Sequence, residues 1–357
     1  TTVVNIHGTN DLITVRLPMM NKQIPLFVMF RALGIESDKE ILKYILLNLN
    51  VKKSKLFMEH LRPSLENNGE IYDRITAMKY LVNLTYGNTT SHLLDIISTD
   101  LFPHVGDNYI SKAYYLGYVV YKLLEVKLGI KAPTDRDSFM FKRVDLSGFL
   151  LASLFRERLK QFQRDVKIAI DTEYRFNVSE YQEDKIGDII NSKNIINIFS
   201  YKVIQEGFLK SFKIGTILNK KGLIQTLNRL SSVGAISQLR RVNIIGDMIM
   251  MGQRKLHSSQ FGIVCCLEAP DGGNVGIKKH MTVLSHITFG FDSKPLIKLC
   301  FDLGVAQLQS IPPESVFNSV KVFVNGNFIG VHYGPEYFVN MLKLYRRNGL
   351  INIFTSI

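Results

Sequence analysis

The sequence predicts an α+β chain built from several compact units, mixing helices with small antiparallel sheets. Three observations carry that prediction. At 357 residues the chain is too long for one comfortable core, so two to four units are expected. Apolar residues recur at helical spacing over long stretches, most clearly between Asp145 and Val166. Short β-type runs flank turn-forming residues near both ends. A hydrophobic fraction of 46% against 21% charged residues fits a folded protein throughout, and neither an internal repeat nor a low-complexity tract interrupts it.

Taken in order, Val3-Val4-Asn5-Ile6 and Leu12-Ile13-Thr14-Val15-Arg16-Leu17 flank the turn formers Gly8-Thr9-Asn10 and read as a hairpin. Ile24 to Phe30 reads as a further strand. Ser37-Asp38-Lys39-Glu40 offers an N-cap followed by acids, and Ile41, Tyr44, Ile45 and Leu49 continue at helical spacing. Residues 71–129 are mostly helical in pattern. From Asp145, the positions Leu151, Phe155, Leu159, Phe162 and Val166 form one stripe of an amphipathic helix, with Arg156, Glu157, Arg158, Lys160 and Arg164 on the other face. Further on, Val322-Phe323-Val324 and Phe328-Ile329-Gly330-Val331 surround Asn325-Gly326-Asn327, where Asn-Gly supplies the positive φ angles of a tight hairpin. A helix from Pro335 to Arg347, closed by Gly349, follows.

The formal charge of +13 favours a polyanionic partner, nucleic acid or an anionic membrane surface. Residues 201–290 hold twelve Lys/Arg against four acids, and the plainer alternative there is a solvated basic face. No apolar run approaches the length needed to span a bilayer. Cys265 and Cys266 are neighbours that cannot readily bridge each other, and with Cys300 they give an odd count without a CxxC pair. A disulfide framework and a zinc ribbon are therefore disfavoured, and a reducing compartment is expected. Thr1-Thr2-Val3-Val4 is neither a signal peptide nor an initiator sequence, so the chain is expected to begin inside a longer gene product. Phosphate-loop, dinucleotide-binding, zinc-protease and nucleophile-elbow signatures are all missing from the sequence. His280 and His286 lack the spacing of a metal-ligand pair, so neither autonomous catalysis nor a bound metal is expected.

Four segments stand out beyond periodicity. Leu17-Pro18-Met19-Met20 leads through Ile24-Pro25 to Arg31-Ala32-Leu33-Gly34. Leu101-Phe102-Pro103-His104-Val105-Gly106 precedes Lys112-Ala113-Tyr114-Tyr115-Leu116-Gly117-Tyr118, then Asp135-Arg136-Asp137 and Lys142-Arg143-Val144-Asp145-Leu146-Ser147-Gly148. Ile224-Gln225 runs through Arg229 to Gln238-Leu239-Arg240-Arg241. Arg254-Lys255-Leu256-His257 is followed by Phe261-Gly262-Ile263-Val264-Cys265-Cys266-Leu267-Glu268-Ala269-Pro270-Asp271-Gly272-Gly273-Asn274-Val275-Gly276. In this order they resemble the second-largest subunit of multisubunit DNA-dependent RNA polymerases of eukaryotic and viral type. Lys321 to Arg347 is similar to the hairpin and helix of that family's external domain. The departures are Gln238 where the family usually carries a histidine, Phe261 for a larger aromatic, Cys266 for a proline, Ala269 for a threonine and Asp271 for a glutamate.

The resemblance implies a lobe over residues 1–134, the C-terminal part of a protrusion over 135–205, a fork over 206–290 and the start of an external domain over 291–357. It implies a component of DNA-directed RNA polymerase, a transcribing nucleotidyltransferase, with this portion inactive by itself. DNA template and RNA–DNA hybrid are the implied ligands, the largest and other polymerase subunits the implied partners, and initiation factors are implied on the lobe. Arg229, Arg240, Arg241 and Arg254 are expected to meet phosphates, because a guanidinium takes a phosphate bidentately, while Gln225 and His257 position the nucleic acid. Glu268, Pro270, Gly272 and Gly276 are expected to shape a channel loop that needs positive φ and close backbone approach. The Asp135-Arg136-Asp137 run is expected to form charge-assisted pairs that lock a loop against a helix capped by Asp145.

Gly246-Asp247-Met248-Ile249-Met250-Met251-Gly252 falls at a fork loop that either packs on a partner or stacks near bases, and the loop around Ile214 to Lys221 is expected to be shorter than in cellular enzymes. No catalytic residue, metal ligand or cofactor is carried over to this portion, although the complete polymerase is expected to use magnesium. The implied location is intracellular: virion or cytoplasm for a viral source, nucleus for a cellular one. The alternative of a different class is a stand-alone basic module that binds RNA or an acidic protein.

Overall fold

The β-branched runs at the start of the chain pair as the sequence predicts. In the computed structural model, β1 (Val3–Ile6) and β2 (Ile13–Arg16) form an antiparallel hairpin with Val3 opposite Arg16 and Ile6 opposite Ile13. The structure describes residues 2–8, 10–87, 89–176, 189–217, 220–244, 251–288 and 290–357, so Thr9 of the predicted turn lies outside the described residues. β3 (Ile24–Pro25) pairs with β2 and completes a three-stranded sheet in the order β1-β2-β3. The chain divides into two compact units, Thr1–Thr134 with Thr288–Ile357, and Asp135–Ile287.

The predicted strand Ile24 to Phe30 is corrected after Pro25: Leu26–Ala32 is a helix, α1, with all seven residues buried. A continuous apolar run has no period that separates a buried strand from a buried helix. Pro25 stands at the helix cap, where its missing N–H is tolerated, whereas continuing the strand would have left a gap in the ladder. α1 carries Arg31 into the core at 1% exposure, its guanidinium bonded to the Ile71 carbonyl and 2.5 Å from Asp38 Oδ1.

α2 (Asp38–Leu46) begins after Ser37 as predicted, but the Ser37 side chain makes no cap bond. It ends at Leu47 with a φ of 62°, which puts Leu49 beyond the helix. α3 (Lys52–Glu66) precedes α4 (Arg74–Leu84), α5 (Thr90–Thr99) and α6 (Tyr109–Lys127), and the last three fill the predicted helical stretch. Asn108 caps α6 by accepting from the Ile110 and Ser111 N–H groups. α6 packs on α2 at Gly117, where a Cβ would stand 2.3 Å from the Tyr44 carbonyl oxygen. Lys112 is fully buried and donates to the Ile97 and Ser98 carbonyls at 2.6 and 2.8 Å, while burial pushes its pKa down. Arg31, Lys112 and Gly117, which stood out as motif residues, thus hold the core of this unit together.

In the second unit, α7 (Ser147–Phe176) realises the predicted amphipathic helix with two corrections. Leu154 is buried and Phe155 exposed, and the Arg158 stem lies against Gly207 of α9 (Lys202–Ile214) rather than in solvent. The long aliphatic part of an arginine packs as readily as a leucine, so charge alone misplaced it. Asp145 is not the cap, because the first helical residue is Ser147 and Leu146 occupies the cap position. α8 (Ile195–Ile198) precedes α9, which ends at the left-handed Gly215. A minimal hairpin follows, with Thr216 of β4 (Thr216–Ile217) opposite Lys221 of β5 (Lys220–Lys221). α10 (Ser232–Leu239), β6 (Arg241–Asn243) and β7 (Lys278–His280) complete the described regular elements of this unit.

The first unit resumes with α11 (Lys294–Asp302), β8 (Ala306–Gln307), α12 (Pro313–Asn318), β9 (Val320–Val324), β10 (Asn327–His332) and α13 (Pro335–Arg347). β9 and β10 form the predicted hairpin, with Asn327 opposite Val324 and positive φ at Asn325 and Gly326. The sheet order is β8-β10-β9. α13 has its predicted bounds, and Gly349 closes it with a φ of 76°. Among the described residues no helix is long and apolar enough to cross a membrane. The architecture is α+β with small antiparallel sheets, as the sequence predicts.

Candidate nucleic-acid interface

The second unit carries the predicted contact residues on one small frame. β6 and β7 pair antiparallel, with Arg241 opposite His280, Val242 opposite Lys279 and Asn243 opposite Lys278. Ile244 N–H donates to the Ile277 carbonyl and extends this pairing back towards the Gly272–Gly276 loop. α10 feeds directly into β6 through Arg240.

The segment before α10 is pinned by a side chain that the sequence singled out only as a departure from the family pattern. The Gln238 amide accepts from the Asn228 N–H at 2.8 Å and donates to the Thr226 carbonyl at 2.9 Å. Asn228 Oδ1 in turn accepts from the Leu230 N–H, and Ser231 caps α10 by accepting from the Gly234 N–H. Arg229 is thereby held on a fixed backbone with its side chain exposed. Gln225 is exposed as well and donates to the Gly222 carbonyl at 3.0 Å.

Arg240 and Arg241 are turned apart. The Arg240 guanidinium is half-buried and donates to the carbonyls of Thr282, Ser285 and Val283 at 2.5, 3.2 and 3.4 Å. Arg241 is exposed, and its guanidinium has no hydrogen bond or ion pair among the described residues. Across the frame, His280 is 7% exposed, and its Nδ1 stands 3.0 Å from Glu268 Oε1, which also accepts from the Ser237 hydroxyl.

Arg254 braces the glycine loop. Its guanidinium donates to the Gly273 and Val275 carbonyls at 2.8 and 2.9 Å. Gly276 has a φ of +73°, and a Cβ there would lie 2.4 Å from the Arg254 carbonyl oxygen, so both the predicted positive φ and the predicted close approach are present. Gly272 has a φ of +76° with open space around it, and Pro270 is half-buried.

His257 joins two sequence motifs 122 residues apart. Its Nε2 is 2.6 Å from Asp135 Oδ2, and its Nδ1 accepts from the Ser259 N–H at 3.1 Å. That second bond leaves Nε2 as the proton-bearing nitrogen of the neutral ring. Ser259 Oγ lies 2.6 Å from Nδ1 and accepts from the Phe139 N–H at 2.8 Å. The Ser-His-Asp grouping is a turn with its cap rather than a nucleophile and base, since Nδ1 already takes a backbone proton. Asp135 Oδ1 accepts from the Asp137 N–H at 2.9 Å. This bond, then the one from His257, holds the Asp135 carboxyl below the usual carboxylate range. The lock between motifs was not legible in sequence, because nothing local marks residues so far apart as partners.

Gly252 and Met251 are the described part of the predicted apolar fork loop, and residues 246–250 lie outside the described residues, as do 218 and 219 of the other loop. Among the described residues no group of three or more His, Cys, Asp or Glu side chains is placed to hold a metal ion.

The family models for RNA polymerase Rpb2 domains 2, 3 and 4 match residues 3–145, 225–287 and 322–357, in that order along the chain. DNA-directed RNA polymerase II subunit 2 of Arabidopsis thaliana is 32% identical over 356 residues, covering 97% of this chain and 29% of the relative. The chain belongs to the family of second-largest RNA polymerase subunits. Within that family, the RPB2 subunit of Encephalitozoon cuniculi is 33% identical over 350 residues, covering 94% of this chain and 30% of the relative. The archaeal subunit Rpo2 of Saccharolobus shibatae is 27% identical over 363 residues, at 95% and 30% coverage. The chain thus spans just under a third of the length of these relatives. Every predicted contact residue, from Gln225 to Gly276, falls within the match to Rpb2 domain 3, and Asp135 falls within the match to domain 2.

Proposed function

We propose that this chain forms part of the nucleic-acid path of a DNA-directed RNA polymerase, holding template and RNA–DNA hybrid by their backbones and working with the largest and other polymerase subunits inside the cell. The observation that carries the reading is the division of labour among its arginines. Arg240 and Arg254 each direct one terminal nitrogen to backbone carbonyls, and Gln238 fixes the segment before α10; Arg229 and Arg241 are left exposed on that rigid support. An exposed guanidinium with its donors free is a ready phosphate ligand, and a fixed backbone lowers the entropy lost on contact. His257 acts here as a positioning residue through Asp135, and Glu268 does so through His280. The chemistry of nucleotide addition is assigned to other parts of the polymerase.

The test is the lifetime of the elongation complex against salt, measured on two unrelated templates. Arg241→Ala should shorten it on both and reduce the steepness of the salt dependence by about one charge, because a phosphate contact carries no base information. Arg347→Ala, in the exposed last turn of α13, should match the unmodified enzyme. An Arg241→Ala enzyme that behaves normally at every salt concentration, or fails on one template alone, would remove the backbone-contact assignment.

A further inference from the structure

Lys279 lies at the middle of β7, opposite Val242, with Lys278 and His280 turned to the other face by strand alternation. It is 5% exposed. Its Nζ stands 5.6 Å from the centroid of the Phe139 ring, and the Nζ of half-buried Lys142 stands 5.7 Å from the same centroid. The backbone that carries the ring is fixed, because the Phe139 N–H is bonded to Ser259 and the Ser138 hydroxyl caps the following turn.

A buried ammonium group is ordinarily compensated by a carboxylate or by backbone carbonyls. Lys112 shows the second solution in this same chain. Lys279 has neither, since no hydrogen bond or ion pair to it exists among the described residues. Burial pushes its pKa down first, and repulsion from Lys142 pushes the same way, opposed by the Cys266 thiol. Asp135, which Lys142 stabilises at longer range, is already committed to His257 and the Asp137 N–H. One aromatic ring offsets only a small part of the desolvation of a buried ammonium group. Among the described residues no anion accepts from either ammonium group. A phosphate group has several strong acceptor oxygens and a charge that relieves both the burial and the mutual repulsion.

We propose that Lys142 and Lys279, both close to the Phe139 ring, form a phosphate-binding site. This deepens the nucleic-acid reading above, and rests on it only where the phosphate belongs to a polymer. The same chemistry fits a backbone phosphodiester and free phosphate or pyrophosphate.

The experiment is calorimetric titration of the full chain with pyrophosphate and, separately, with a short oligothymidylate over a range of salt. Wild type should bind pyrophosphate, Lys142→Gln should weaken it about tenfold or more, and Lys279→Met should abolish it. Lys142 is half-buried, so Lys142→Gln keeps the test alive should Lys279→Met fail to fold. If oligothymidylate binding also weakens in Lys142→Gln and its salt slope falls by about one, the phosphate is that of a nucleic-acid backbone. If only pyrophosphate binding is lost, the site serves free phosphate. Wild type that ignores pyrophosphate, or Lys142→Gln that binds it like wild type, would overturn the site. Arg241→Ala reports separately on the earlier reading: oligothymidylate binding unchanged by it at all salts, with pyrophosphate still dependent on the lysines, sinks the Arg241 contact and leaves this site standing.

Discussion

Adjacent residues with the same side chain can be given opposite tasks by a change of backbone geometry between them. Arg240 closes α10 and reaches the Thr282–Ser285 turn, while Arg241 opens β6 and faces solvent. Sequence could nominate the pair but not divide it, because what distinguishes them is the position of carbonyls more than forty residues away. Asp135 offers a test at this scale. Its carboxyl titrates below its unfolded value, first through the Asp137 N–H and then through His257, so the ionised form favours the folded state. That contribution is complete above the ordinary carboxylate value of about 4 and fades as pH falls through the depressed folded value. Melting temperatures of wild type and Asp135→Asn should therefore differ most near neutral pH and converge on acidification. A constant gap at every pH would mean that the carboxylate contributes through shape alone.

Elements meet in this protein through glycines whose neighbours differ in stiffness. At Gly117, α6 approaches the Tyr44 carbonyl of α2, and a Cβ would sit 2.3 Å from that oxygen. At Gly207, α9 approaches α7 equally closely, but the atom met is Arg158 Cδ, part of a flexible side chain. Gly117→Ala should destabilise by about 1–3 kcal/mol, because backbone has to move. Gly207→Ala should stay within about 0.5 kcal/mol of wild type, since Arg158 can change rotamer while alanine adds helix propensity of about 1 kcal/mol. Urea denaturation compares the two, and equal losses would refute the distinction. The hairpin at Asn325-Gly326 and the bounds of α13 were legible because their signals are local: positive φ, a starting proline, a closing glycine. α1 was not, because Leu26 to Phe30 presents no polar residue to betray a period.

For the whole molecule, the order of motifs was enough to place the chain in its family, and the charge balance of residues 201–290 pointed to the basic frame. Which of the motif arginines stand free of backbone was hidden, since Arg240 and Arg254 look no different from Arg241 until their carbonyl partners are seen. The all-round burial of α1 has a consequence for how the first unit comes apart. Its amides reach water only when the sheet and helices around it separate together, so no small opening can expose them. Deuterium uptake at Phe30 to Leu33 should be among the slowest in that unit, with an opening free energy equal to that of denaturant unfolding. Uptake there faster than in the last turn of α13, which ends at exposed Arg347, would mean that the core loosens before its edges.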